Sequence, residues 1–318
     1  MNSSRSAWTY AAAILALLPG YLAPGSGSTH ESAAPQALAE EPITPVPRAP
    51  AVDPRKVALG ERLFRDVRLS RLNTHGCSSC HDPDSNGSSG RAEAFIRTGS
   101  GHNFDIPTVF NSALSFRLSW EGRYRSLEEQ AAASLASRTT MNNTAEVAVA
   151  RLSSDLEESR QFHEVYGHGP DANSLYDAIA AYERSLVTPD SRFDRWLAGE
   201  TTALSARELD GYRLFKSLGC VSCHQGVNVG GNLFQRHGIF RPLARRDPVV
   251  LRVPSLRNVA ATPPYFHDGS AATLEDAVHR MGAAQLNSDL SDEQVACIVA
   301  FLRTLTGNYK GRPVGERQ

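Results

Sequence analysis

The sequence predicts a mainly α-helical chain built as two tandem copies of one small domain, and three observations carry that prediction. The five-residue pattern Cys-x-x-Cys-His occurs twice, in "GCSSCHD" from Gly76 and "GCVSCHQG" from Gly219. An amphipathic stretch leads into each copy, "GERLF" at Gly60 and "GYRLF" at Gly211. Downstream of each motif the same landmarks return at the same offsets. With 318 residues, 41% of them hydrophobic, the chain is long enough for about two domains of ordinary size, each with a real core.

In chain order, Arg5 precedes an apolar run from Ala7 to Ala23, as in the charged and hydrophobic regions of an export signal. The chain is therefore expected in the periplasm. An uncleaved anchor is the alternative, because no small-residue cleavage site follows the run at once, although Ala37-Leu38-Ala39 offers a late one. Residues 24–52 are rich in Pro, Ser, Gly and Ala without lasting period and read as a flexible tether. Lys and Arg number 33 against 34 Asp and Glu, so no summed positive field attracts phosphate backbones and nucleic acid is not an expected partner.

Two cysteines three positions apart can form thioethers with the vinyl groups of one haem, and the adjoining His can turn its imidazole onto the iron. Covalent haem c is therefore expected on Cys77, Cys80 and His81, and again on Cys220, Cys223 and His224. A zinc half-site or a redox disulfide is the bland reading of each motif. The fifth cysteine, Cys297, lies in the apolar helical pattern "SDEQVACIVAFLRTLTG" and reads as a small buried residue.

The helices entering the motifs have start signals: Asp53-Pro54 for the first, and the capping box Ser205 with Glu208 for the second. Past the motifs, "PTVFN" at Pro107 answers "PSLRN" at Pro254. Thirteen residues after each proline "WEG" at Trp120 answers "HDG" at His267, and seven further "LEEQA" answers "LEDAV". The expected division is 1–51 export signal and tether, 52–200 first haem domain, 201–310 second haem domain and 311–318 tail, with the join near "VTPDSRFDRWLAGE".

The copies differ where iron chemistry is decided. Met281 follows His267 by fourteen residues, and the same offset from Trp120 falls on Ser134. A methionine on the open face of a His-ligated haem raises its potential and closes the site, as suits electron transfer. A gap-filling core methionine is the alternative. The first haem lacks such a plug and can be opened to a small oxidant.

These residues resemble the bacterial di-haem cytochrome c peroxidases over roughly residues 52–310. The specific pieces are "MNNT" at Met141, "TPDSRFDRWLAGE" at Thr188, "GCVSCHQGVNVGG" at Gly219, "LRNVAATPPYFHDG" at Leu256 and "IVAFLRTLTG" at Ile298. The resemblance implies two mainly helical cytochrome c-type domains meeting at an interface that holds calcium. It implies that His81 is the proximal ligand of a peroxidatic haem and that His224 and Met281 ligate an electron-transferring one. Trp120 matches the tryptophan between the haems, and Gln130 a glutamine lining the peroxide pocket.

Asp105 stands where the family has a calcium-binding asparagine, and the carbonyls of Thr262 and Pro264 match the other protein ligands. His102, in "SGHNF", resembles a loop histidine that caps the peroxidatic iron in resting members, although only five residues separate it from Pro107 where the family has a longer spacer. Thr140 replaces the family's pocket glutamate, ten residues after the glutamine, and a hydroxyl cannot serve as a carboxylate base near neutral pH.

The implied activity is reduction of hydrogen peroxide to water by electrons from a small periplasmic cytochrome c or cupredoxin, slowed by Thr140, in a homodimer. The alternatives are a di-haem electron carrier, or an oxidase of a protein or organic substrate like the methylamine-utilisation relatives. Those relatives carry tyrosine in place of the methionine ligand.

Overall fold

The computed structural model describes residues 41–89, 95–97, 103–243 and 250–316, and residues 34–318 cluster as one compact unit. The expected export signal, its cleavage candidate and His102 lie outside the described residues. The first half contains α1 (Pro54–Arg65), α2 (Leu127–Ala136), α3 (Ala145–Ser153), α4 (Leu156–Tyr166) and α5 (Ala172–Ser185). A short α6 (Arg192–Leu197) leads to the second half, with α7 (Ala206–Ser217), α8 (Leu274–Leu286) and α9 (Asp292–Arg303). Strand is confined to three antiparallel pairs, β1 (Phe95–Arg97) with β2 (Asn103–Asp105), β3 (Phe234–Arg236) with β4 (Val250–Arg252), and β5 (Asn308–Tyr309) with β6 (Arg312–Pro313).

Both expected helix starts are present. The Asp53 side chain accepts from Arg55 N ahead of Pro54, and Ser205 and Glu208 close a reciprocal capping box on α7. Each entering helix buries an apolar face against the last helix of its copy, α1 on α5 and α7 on α9. The crossings are close enough to require glycine. A Cβ at Gly60 would stand 1.9 Å from the Ala178 carbonyl oxygen, and one at Gly211 would stand 1.9 Å from that of Cys297. Aromatic rings fill the space beside each crossing, Phe64 on Tyr182 at 5.3 Å and Tyr212 on Phe301 at 4.9 Å. Cys297 is buried, as its helical pattern implied.

The repeat extends to backbone geometry. Asn111 and Asn258, at matched positions of "PTVFN" and "PSLRN", adopt left-handed φ of 60° and 61°. Ser119 and Phe266, one residue before Trp120 and His267, both have φ 68°. The bridge Leu118–Tyr124 is repeated as Tyr265–Ala271. The two asparagines converge on one atom: Thr188 Oγ1 accepts from Asn111 Nδ2 at 2.7 Å and from Asn258 Nδ2 at 3.0 Å.

The cores divide differently from the sequence-based boundaries. Phe193 and Leu197 of α6 pack in the second core, with the Phe193 ring 4.8 Å from Tyr212 and 5.1 Å from Phe301, so that core begins before residue 201. Residues 41–46, expected as flexible tether, are docked on the second half. Ile43 and Val46 are buried, Lys216 pairs with Glu41 at 3.0 Å, and Gly226 N donates to Pro42 O at 2.8 Å. The buried Arg257, which pairs with Asp194 at 2.8 Å, donates to Thr44 O at 2.8 Å. Composition reads as loop here because the segment has no period of its own; two apolar pegs and satisfied carbonyls fix it nonetheless. The tail is likewise fixed: Val314 lies in the first core and Tyr309 packs 4.9 Å from Phe110.

Candidate functional site

Each Cys-x-x-Cys-His motif sits on a 3₁₀ turn, Cys77–Ser79 and Cys220–Ser222; the second follows its entering helix directly, and a loop with a further 3₁₀ turn, Val67–Leu69, separates the first from α1. Both turns open into one continuous cavity of about 1390 Å³, above the ~300–1,000 Å³ of ordinary small-ligand pockets. It has a lobe at each motif. In the first, His81 Nδ1 donates to Pro107 O at 3.0 Å, and in the second, His224 Nδ1 donates to Val229 O at 3.2 Å. Fixing Nδ1 as donor leaves Nε2 as the free lone pair, which is how proteins orient a metal-ligating imidazole. Burial lowers the pKa of both rings, that of His224 to about 4, keeping them neutral as ligands must be.

The cysteines fit the same group. Burial pushes the Cys77 thiol up to about 12 and Cys220 up to about 11, the opposite of the depressed values of redox-active pairs. No two of the cysteines are joined in a disulfide. Among the described residues no cluster of three or more His, Cys, Asp or Glu side chains could hold a metal ion. An apolar cavity with two attachment turns and two preset imidazoles fits two haems.

Met281, on α8, is half-buried and lines the cavity, as His224 does. At the matched place on α2, Ser134 accepts from Gln130 Nε2 at 3.0 Å through its hydroxyl, and through its carbonyl from the Thr140 hydroxyl. Gln130 Oε1 is enclosed without a hydrogen-bond partner, an acceptor turned into the first lobe. Thr140 lines that lobe too, with its hydroxyl proton already engaged. His75 reaches the same wall, its Nε2 bonded to Thr140 O at 3.2 Å.

Trp120 lines the cavity. Its Nε1 donates to Asp105 O at 2.8 Å, its carbonyl accepts from Arg252 N at 2.9 Å, and its ring lies 6.4 Å from His267. Asp105 N in turn donates to His267 O at 2.7 Å. Burial raises the Asp105 carboxyl to about 6. Thr262 and Pro264 border the same cavity as Asp105.

Sequence reasoning missed three polar groups of this cavity. Arg252 is desolvated, which lowers its pKa, and among the described residues it has no carboxylate partner. His237, held near pKa 4 by burial, sits 4.5 Å from the His267 ring with Nδ1 enclosed and unbonded. Glu183 lines the first lobe, 8% exposed. Nothing in the local pattern marks them, since each is an ordinary polar residue of a strand, turn or helix until the fold encloses it.

Comparison with known proteins agrees with this geometry. The family model described as di-haem cytochrome c peroxidase matches residues 54–202, and that of cytochrome c matches residues 209–306. The chain is 40% identical over 290 residues to a cytochrome c551 peroxidase of Nitrosomonas europaea, covering 85% of each. It is 38% identical over 287 residues to the cytochrome c peroxidase Ccp of Escherichia coli, covering 85% of this chain and 62% of that one. A solved MauG-like protein associated with microbial copper homeostasis superposes with TM-score 0.69 at 28% identity, over 83% of this chain and 93% of that chain. With two attachment turns, two preset imidazoles and this kinship over most of its length, the chain belongs to the family of di-haem cytochrome c peroxidases, oxidoreductases acting on peroxide.

Proposed function

We propose that the protein reduces hydrogen peroxide to water in the periplasm, taking electrons one at a time from a small cytochrome c or cupredoxin. The observation that carries the division of labour is the difference between the repeats: Met281 lines the cavity in the second, and Ser134 lines it at the matched place in the first. Haem held by one imidazole supplies an open iron position for peroxide, whereas His and Met together give a closed, high-potential electron carrier. His81 holds the reactive group, and His224 with Met281 the electron-transferring one. Trp120 bridges the lobes through its bonds to Asp105 and Arg252. Arg252, a desolvated cation, is suited to the carboxylates of a haem edge.

Gln130 orients peroxide in the first lobe through its enclosed amide. Thr140 gives no acid–base help, because its hydroxyl already donates to Ser134 O. Asp105, with the Thr262 and Pro264 carbonyls, binds calcium, a hard cation that would offset the desolvated carboxyl. The native assembly is a homodimer.

The test is peroxide consumption by the semi-reduced holoprotein with a reduced c-type donor, after intact mass confirms two covalent haems. One haem, or zinc, sinks the assignment. Full haem content without peroxide reaction would favour the second reading, oxidation of another substrate, which the missing carboxyl at position 140 supports.

A further inference from the structure

Glu183 lies on α5 beside the first lobe, and its Oε2 is fully enclosed with no hydrogen-bond partner. Buried polar groups are nearly always paired, so an exception calls for a reason. The repeat supplies the comparison. Gly60 meets Tyr182 as Gly211 meets Phe301, so the next residues, Glu183 and Leu302, correspond. Leu302 is buried in the second core and lines the second lobe. The lobe with the methionine has an apolar side chain at this position, and the lobe without it has an acid.

The surroundings keep that acid neutral. Burial pushes its pKa up to about 8, the Glu128 carboxylate of α2 adds to the shift, and Arg184 opposes it. Arg184 is bonded to Glu128. On the motif turn, the Cys77 thiol feels the charge of Glu183, which places the carboxyl electrostatically close to the attachment site.

We propose that Glu183 is the proton-donating residue of the first lobe, supplying the carboxyl chemistry that Thr140 cannot. The inference rests on the peroxidase reading. Peroxide, two electrons and two protons give two waters: the O–O bond breaks and two O–H bonds form. The electrons come from the one-electron donor. One proton leaves the Glu183 carboxyl, the carboxylate is reprotonated from solvent, and solvent supplies the second. Loss of an electron from the neighbouring pocket makes it more positive and weakens the carboxyl's hold on its proton, so release is coupled to oxidation.

Glu183→Gln keeps the shape and removes the proton. In holoprotein of verified haem content, the midpoint potential of the first haem should vary with pH around 8 in the wild type and be flat in the variant. The infrared carbonyl band of a neutral buried carboxyl should vanish. Peroxide turnover should fall on the order of 10²-fold or more, with partial rescue by adding Thr140→Glu. Should the variant lose haem or fail to fold, Glu183→Asp serves instead, with a displaced midpoint of the pH dependence expected. An active wild type whose slope, band and turnover survive in Glu183→Gln overturns the inference alone. A wild type that consumes no peroxide overturns the peroxidase reading, and the slope and band still decide whether Glu183 exchanges a proton.

Discussion

Met281 lines the cavity from the second half, and at the matched position of the first half Ser134 lines it. Replacing Met281 with Ala should lower the reduction potential of the second haem, because a sulfur ligand favours ferrous iron, and should slow electron delivery. Potentiometric titration with the visible spectrum of the reduced protein checks both, and an unchanged ligand spectrum would make Met281 a core residue. In the Glu183→Gln background, Thr140→Glu should raise peroxide turnover, general acid–base help being worth ~10²- to 10⁴-fold in full; a steady-state assay that shows no gain there removes the assigned proton role.

Glu183 adds a pH dependence of stability. A carboxyl raised from 4.5 to about 8 binds its proton more tightly when folded, so its contribution is complete below pH 4.5 and is lost as pH rises toward 8. Denaturant titrations at pH 5 and pH 8 should show a loss that Glu183→Gln reduces. The attachment residues and Met281 were legible because covalent chemistry and a repeat offset constrain sequence directly. Glu183, His237 and Arg252 were not, because enclosure, which gives them meaning, is a property of the folded cavity.

Among the elements, the helix pairs α1–α5 and α7–α9 do the same work in both halves, each crossing at a glycine. Gly60→Ala or Gly211→Ala should destabilise its own half by roughly 1–3 kcal/mol or more, since the new methyl would meet backbone instead of a movable side-chain end. Gly169→Ala is the control: its nearest neighbour is 3.7 Å away, and a change within about 0.5 kcal/mol is expected in thermal melts. Equal effects at the three sites would show that the crossings tolerate separation. The entering helices, their caps and the landmarks were readable from period and repeat. The three-residue strands were not, being too short to show alternation, and α3 and α4 belong to a stretch that the second half does not repeat.

Over the whole molecule, the two halves are fastened by their opposite ends: residues 41–46 lie on the second core, and Tyr309 and Val314 on the first. Arg257 and Asp194 anchor the leading segment, and truncating Arg257 to Ala should cost roughly 3–5 kcal/mol by leaving Asp194 buried without its partner. Chemical denaturation monitored at the second haem measures it, and a loss below 1 kcal/mol would mean that solvent reaches the site. The two-domain plan was legible in the sequence, whereas this exchange was not, because neither end carries a pattern that names its seat. The exchange also bears on time. During synthesis residues 41–46 emerge well before the second half on which they lie, while the first core includes Val314, which emerges after both halves. Each half folded alone would leave a place in its own core unfilled, that of Val314 in the first and of Ile43 in the second.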